Sequence, residues 1–151
     1  MVHKSARTRI FLRPAVLLLL AVLAACAPEL SREDSDYLYA VRAQPLEFEV
    51  DAARADSVWE RGRRFFTLYT LARLDLDSPM ALESAPPELG DDRYFGYRVL
   101  REKAGAAVRF SVECYTLELR AQDDARLNAG ILAYYMRSGL IRDQFLLGRA
   151  R

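Results

Sequence analysis

The segment "YFGYRVLREKAGAAVRFSVECYTLELR", residues 94–120, constrains the fold more than any other part of the chain. Apolar residues alternate with polar ones on both sides of "KAG". Phe95, Tyr97 and Val99 precede it. Val108, Phe110, Val112 and Cys114 follow it, set against Arg109, Ser111 and Glu113. A period of two sustained over that length means strands with one dry and one wet face, and a glycine-bearing break between two such runs predicts a hairpin. Beyond Cys114 the apolar phase moves to Tyr115, Leu117 and Leu119. Either a bulge resets the strand, or its far end is covered on both faces, which makes these three residues a partner surface.

The remaining elements follow from the same patterning. "PLEFEV" alternates Leu46, Phe48 and Val50 against Glu47 and Glu49, the signature of a half-buried strand. In "DSVWERGRRFFTLYTLAR", Val58, Gly62, Phe65, Phe66, Tyr69 and Ala72 share one helical face, with Trp59 beside it. Ser57 and Glu60 fit a capping box, so the helix is expected to start near Val58. Gly62 costs about 1 kcal/mol against alanine inside a helix, which predicts that another element passes close to it. Arg61, Arg63 and Arg64 fall mostly on the opposite side. They read as a docking face for lipid headgroups, lipopolysaccharide or an acidic partner, or as a solvated face with Glu60 and Arg64 paired along the helix.

A short strand is expected over Met80 to Ser84, followed by a loop through "APPELGDD". The acidic residues Asp75, Asp77, Glu83, Glu88, Asp91 and Asp92 lack the spacing of a calcium loop. "QDDARLNAGILAYYMRSGL" is helical again, capped by Asp123 or Asp124 and closed by Gly139. Its stripe of Ala125, Asn128, Ala129, Leu132, Tyr135 and Met136 places an amide, Asn128, on the packed side, where it needs a backbone partner. The tail, with Phe145, Leu146 and Leu147, reads as an added helical turn or a packed extension. The order β-α-β-β-β-α predicts a single α+β domain: an antiparallel sheet of about four strands with two helices on one face.

The N-terminus carries a different signal. Lys4, Arg7, Arg9 and Arg13 precede an uninterrupted apolar run from Ala15 to Ala25, and no acidic residue occurs before Glu29. As a helix the run covers roughly 17 Å, short of a hydrocarbon core of about 30 Å, and it has the parts of a secretory signal. The run ends in "LAAC", Leu23 to Cys26, which resembles the lipobox of bacterial lipoproteins. The resemblance implies cleavage between Ala25 and Cys26, lipidation of the Cys26 thiol, and anchorage by acyl chains instead of a spanning helix. With Ala27 in place of aspartate after the cysteine, it further implies the outer membrane, facing the periplasm. The expected division is a signal peptide at 1–25, a lipidated cysteine and tether at 26–44 that holds the domain off the membrane, and a globular domain at 45–151. Tyr37, Leu38, Tyr39 and Val41 could dock the second half of that tether. "ARLNAGILAYYMRSG" after a long strand also resembles small envelope lipoproteins without an assigned function, over about the last third of the chain. That resemblance brings no catalytic residues with it.

Removal of the signal changes the chemistry available. Basic residues fall from 22 to 18 against 21 acidic ones, so the net charge moves from +1 to −3, which argues against nucleic acid as a partner. The single histidine, His3, leaves with the signal, and with it Ser-His and Cys-His catalysis and His-containing metal sites. Cys114 becomes the one free thiol and is expected to pack as a small hydrophobe. No catalytic constellation, metal site or cofactor is implied. The leading expectation is a non-enzymatic lipoprotein that binds an envelope protein through its sheet face or the arginine helix. The alternative is a small-ligand or lipid-binding module with a pocket lined by Trp59, Phe66, Tyr69, Phe95, Tyr97 and Tyr135. Acid-base chemistry could fall only to carboxylates such as Glu47, Glu49, Asp91, Asp92 and Glu113, of which no pair is singled out.

Overall fold

A computed structural model describes residues 30–71, 73–87 and 95–148. Its order is α1 (Arg32–Arg42), β1 (Glu47–Asp51), α2 (Ala52–Tyr69), β2 (Leu74–Asp77), β3 (Ala81–Ser84), β4 (Gly96–Ala104), β5 (Ala107–Tyr115) and α3 (Gln122–Ser138), with short 3-10 turns at Leu119–Ala121 and Asp143–Phe145. The five strands form one antiparallel sheet in the order β1-β5-β4-β3-β2. The chain is α+β as expected, with one strand and one helix more than the sequence pattern revealed.

The β4–β5 hairpin anchors the sheet. Its nine residue pairs run without a break from Gly96↔Tyr115 to Ala104↔Ala107. Gly105 turns it at φ +62°, and Ala106 has no positive φ. That combination suits a two-residue turn with glycine in the first central position. Because the register is continuous and β5 stops at Tyr115, no bulge explains the phase change after Cys114. Leu117 and Leu119 lie past the strand, in the connection to α3.

β1 and β2 occupy opposite edges of the sheet, so α2 must carry the chain across its whole width. Eighteen residues give a helix of about 27 Å, long enough to cross four inter-strand gaps of about 4.8 Å. The helix begins at Ala52, six residues before the expected start. Asp51 is its N-cap without a side-chain bond, and the Ser57 hydroxyl donates instead to the Arg54 carbonyl. Val58, Trp59, Gly62, Phe65 and Phe66 are buried on the sheet side. α3 packs on β5 and α2. It starts at Gln122 with Asp123 and Asp124 in its first turn, where a negative charge favours the helix dipole, and ends at Gly139 with φ +77°.

The compact unit runs from Ser35 to Arg151, so it begins inside the stretch expected as a tether. Tyr37 and Val41 of α1 join the core, and Leu38 packs against it. The Tyr37 ring meets Tyr134 edge-on and stacks on Phe145, and its hydroxyl accepts from the Arg142 N–H. α1 approaches α3 most closely at Gly130, where a Cβ would lie 2.8 Å from the Val41 carbonyl oxygen.

Candidate functional site

The two faces of the sheet divide the chemistry. On the helix side, Phe48, Leu82, Tyr97, Val99, Phe110 and Val112 are buried. On the open side, Arg98 lies between Glu83 (2.9 Å) and Glu113 (3.5 Å), and Arg109 pairs with Glu49 at 2.8 Å. Those carboxylates hold both guanidinium groups further toward the charged form than usual. Glu49 and Glu113, two of the candidates for acid-base work, are therefore engaged by arginine across the strands. Glu47 is exposed, and Asp91 and Asp92 lie outside the described residues. Among the described residues no group of three or more His, Cys, Asp or Glu could hold a metal ion.

The three arginines of α2 do not form a common face. Arg61 is half-buried; its Nε donates to the Ser57 carbonyl and its guanidinium lies beside Gly139. Arg63 is held between Glu60 at 3.0 Å and Asp77 of β2 at 2.8 Å. Arg64 is exposed. The expected Glu60–Arg64 pair is replaced by Glu60–Arg63, because Asp77 draws Arg63 toward the edge strand. Arg63 thus ties α2 to β2, a strand absent from the expected order.

Tyr115, Leu117 and Leu119 also part company. The Tyr115 ring covers Gly96 of the paired strand, where a Cβ would meet the ring. That cover leaves Tyr115 half-buried and removes it from an open surface. Leu119, in contrast, is 90% exposed and Leu117 57%.

The six aromatics expected around a ligand pocket instead belong to the core. Phe65 and Phe66 both present to the Tyr97 ring near-perpendicularly, with centroids 5.5 and 6.1 Å away. Tyr69 meets Tyr135 edge-on at 5.6 Å, and Trp59 packs on Phe110 at 6.2 Å. Such contacts are worth roughly 0.5–1.5 kcal/mol each beyond area burial. None of the six lines any of three surface grooves. The largest, of about 610 Å³, runs along Glu49, Asp51, Arg54, Tyr134 and Arg137 at the β1 edge. A second, of about 440 Å³, lies between Arg42 and Leu46 on one side and Asp123, Asp124 and Leu127 on the other. The third, of about 340 Å³, flanks the hairpin tip beside Met80.

Two buried polar atoms stand out in the core. Among the described residues no well-formed hydrogen bond reaches the Trp59 indole N–H or the Tyr97 hydroxyl, although the Cys114 thiol and the Asn128 amide lie near that hydroxyl. Desolvation raises the Tyr97 phenol well above its usual range, and the neighbouring Cys114 thiol adds to that. Burial likewise raises Cys114, which sits directly across the strand pair from Tyr97. A thiol held protonated in this way is a poor nucleophile. Asn128, fully buried, bonds the tail through both ends of its amide: Nδ2 donates to the Leu147 carbonyl at 3.0 Å, and Oδ1 accepts the Leu147 N–H at 3.1 Å. It is a structural clamp, and no signal in the sequence named Leu147 as its partner.

Cys26 and Ala25 lie outside the described residues. No helix of the described residues is long and apolar enough to cross a membrane. Comparison with models of protein families, with curated proteins and with solved structures finds no match to this chain.

Proposed function

We propose that this chain is a lipoprotein of the bacterial cell envelope, anchored through Cys26 and acting without catalysis as an interaction or accessory module at the outer membrane, on the periplasmic side. The observation that carries the reading is "LAAC" at the end of an 11-residue apolar run behind four basic residues. Leu117 and Leu119, exposed on the β5–α3 connection, are the apolar residues of the expected partner surface that remain open.

Intact mass of protein purified from envelopes tests the anchor. The expected mass is that of residues 26–151 plus a diacylglyceryl group and an N-terminal acyl chain. Cys26→Ser protein is expected to lack the acyl mass and not to be processed normally. A mass that includes residues 1–25, or a Cys26→Ser protein that is still membrane-bound and processed normally, overturns the reading.

A further inference from the structure

Helix α1 changes what the anchor can do. An extended tether through residue 44 would reach about 60 Å from Cys26. The helix instead starts at Arg32, leaving six Cα steps, at most about 21 Å of chain. The headgroup layer on each side of a bilayer is itself about 5–8 Å thick. Beyond the headgroups, that chain can lift the start of α1 by no more than about 13–16 Å.

α1 has a side suited to that position. Tyr37 and Val41 face the core, and the outward stripe at i, i+4 and i+7 is Ser35, Tyr39 and Arg42, all exposed. Tyr39 is 78% exposed, far more than a large aromatic ring needs to be in a domain that buries most of its others. Neither the Tyr39 nor the Arg42 side chain makes a hydrogen bond or ion pair among the described residues. A tyrosine with an arginine one turn away is the pairing that settles at a headgroup layer: the ring in the interface, the guanidinium on phosphate. Asp36 lies beside the stripe, and Arg42 also lines the groove that holds Asp123 and Asp124, so charge attraction is not what holds the stripe there. The short reach of the anchor is.

We propose that the Ser35–Tyr39–Arg42 side of α1 rests against the phospholipid headgroups of the bilayer that holds Cys26. This rests on the lipoprotein reading above. The test uses the full chain, processed and purified from envelopes. Tyr39→Trp protein is placed in phosphatidylethanolamine–phosphatidylglycerol vesicles containing a phospholipid brominated near the headgroup. The introduced indole is expected to lose its emission while that of buried Trp59 remains, and added salt is expected to change nothing. Inserting about twenty Gly and Ser residues between Glu29 and Leu30, a linker with a mean span of roughly 25 Å of its own, is expected to restore the emission. Lipidated protein whose introduced indole is not quenched overturns the proposal and leaves the lipoprotein reading intact. Equal quenching with the long linker also overturns it, since the short tether is then not the cause. Protein without acyl mass overturns the lipoprotein reading and this proposal together.

Discussion

Asn128 shows how one side chain can hold an otherwise patternless tail. Both of its amide bonds end on Leu147, and the adjacent Leu146 is buried. Asn128→Ala strands the Leu147 backbone and is expected to cost about 1–3 kcal/mol, read as a lower denaturant midpoint with an unchanged slope. Cys114 makes a second prediction at this scale. Its pKa is raised in the folded state, so below the unfolded-state value of about 8.5 the thiol is protonated in both states and contributes nothing to pH dependence. Above that value the unfolded chain loses the proton and the folded one keeps it. Stability is therefore expected to fall by up to about 1.4 kcal/mol per pH unit from roughly pH 8.5, and Cys114→Ala to flatten that decline, in urea titrations at a series of pH values. The sequence pattern placed both residues on packed faces. It could not name their partners, because Leu147 and Tyr97 are neighbours only after folding.

Two glycines inside helices separate propensity from packing. At Gly62 of α2 a Cβ would touch side-chain ends, Leu82 Cδ1 at 3.3 Å and Met136 Cε at 3.4 Å, which can yield by a few tenths of an ångström. At Gly130 of α3 it would meet the Val41 carbonyl oxygen at 2.8 Å, and a helix backbone cannot yield so cheaply. Gly62→Ala is expected to lie within about 1 kcal/mol of the parent, as the gain in helix propensity offsets the contact. Gly130→Ala is expected to lose about 1–3 kcal/mol despite the same propensity gain, because it forces α1 off α3. Thermal unfolding of the two variants side by side makes the comparison. The close approach at Gly62 was readable from the cost of a helical glycine. α2's true start was not, since Ser57 and Glu60 imitate a capping box one and a half turns inside the helix. β2 was missed because "LDLD" is four residues long and equally acidic to its loop; only pairing with β3 makes it a strand.

At the scale of the molecule, both ends of the compact unit lock over α3. Tyr37 of α1 stacks on Phe145, its hydroxyl accepts the Arg142 N–H, and Asn128 holds Leu147. Removing residues 143–151 is therefore expected to destabilise the domain more than Asn128→Ala does and to open α1 to proteolysis while the β4–β5 hairpin stays protected, as hydrogen exchange would show. The sequence by itself determined the hairpin, the two long helices, the inward face of each and the α+β class. Each of these is written as a hydrophobic period within about ten to eighteen residues. Only the tertiary structure decided the strand order, the passage of α2 from edge to edge, the closing of the six aromatics into a core, and the folding of the expected tether into α1. The reason is physical. The docking of Tyr37, Leu38 and Val41 was expected and that of Tyr39, 78% exposed, does not occur, but the partners that hold Tyr37, Phe145 and Arg142, the latter 105 residues away, were not legible, because no local period records a partner at that distance.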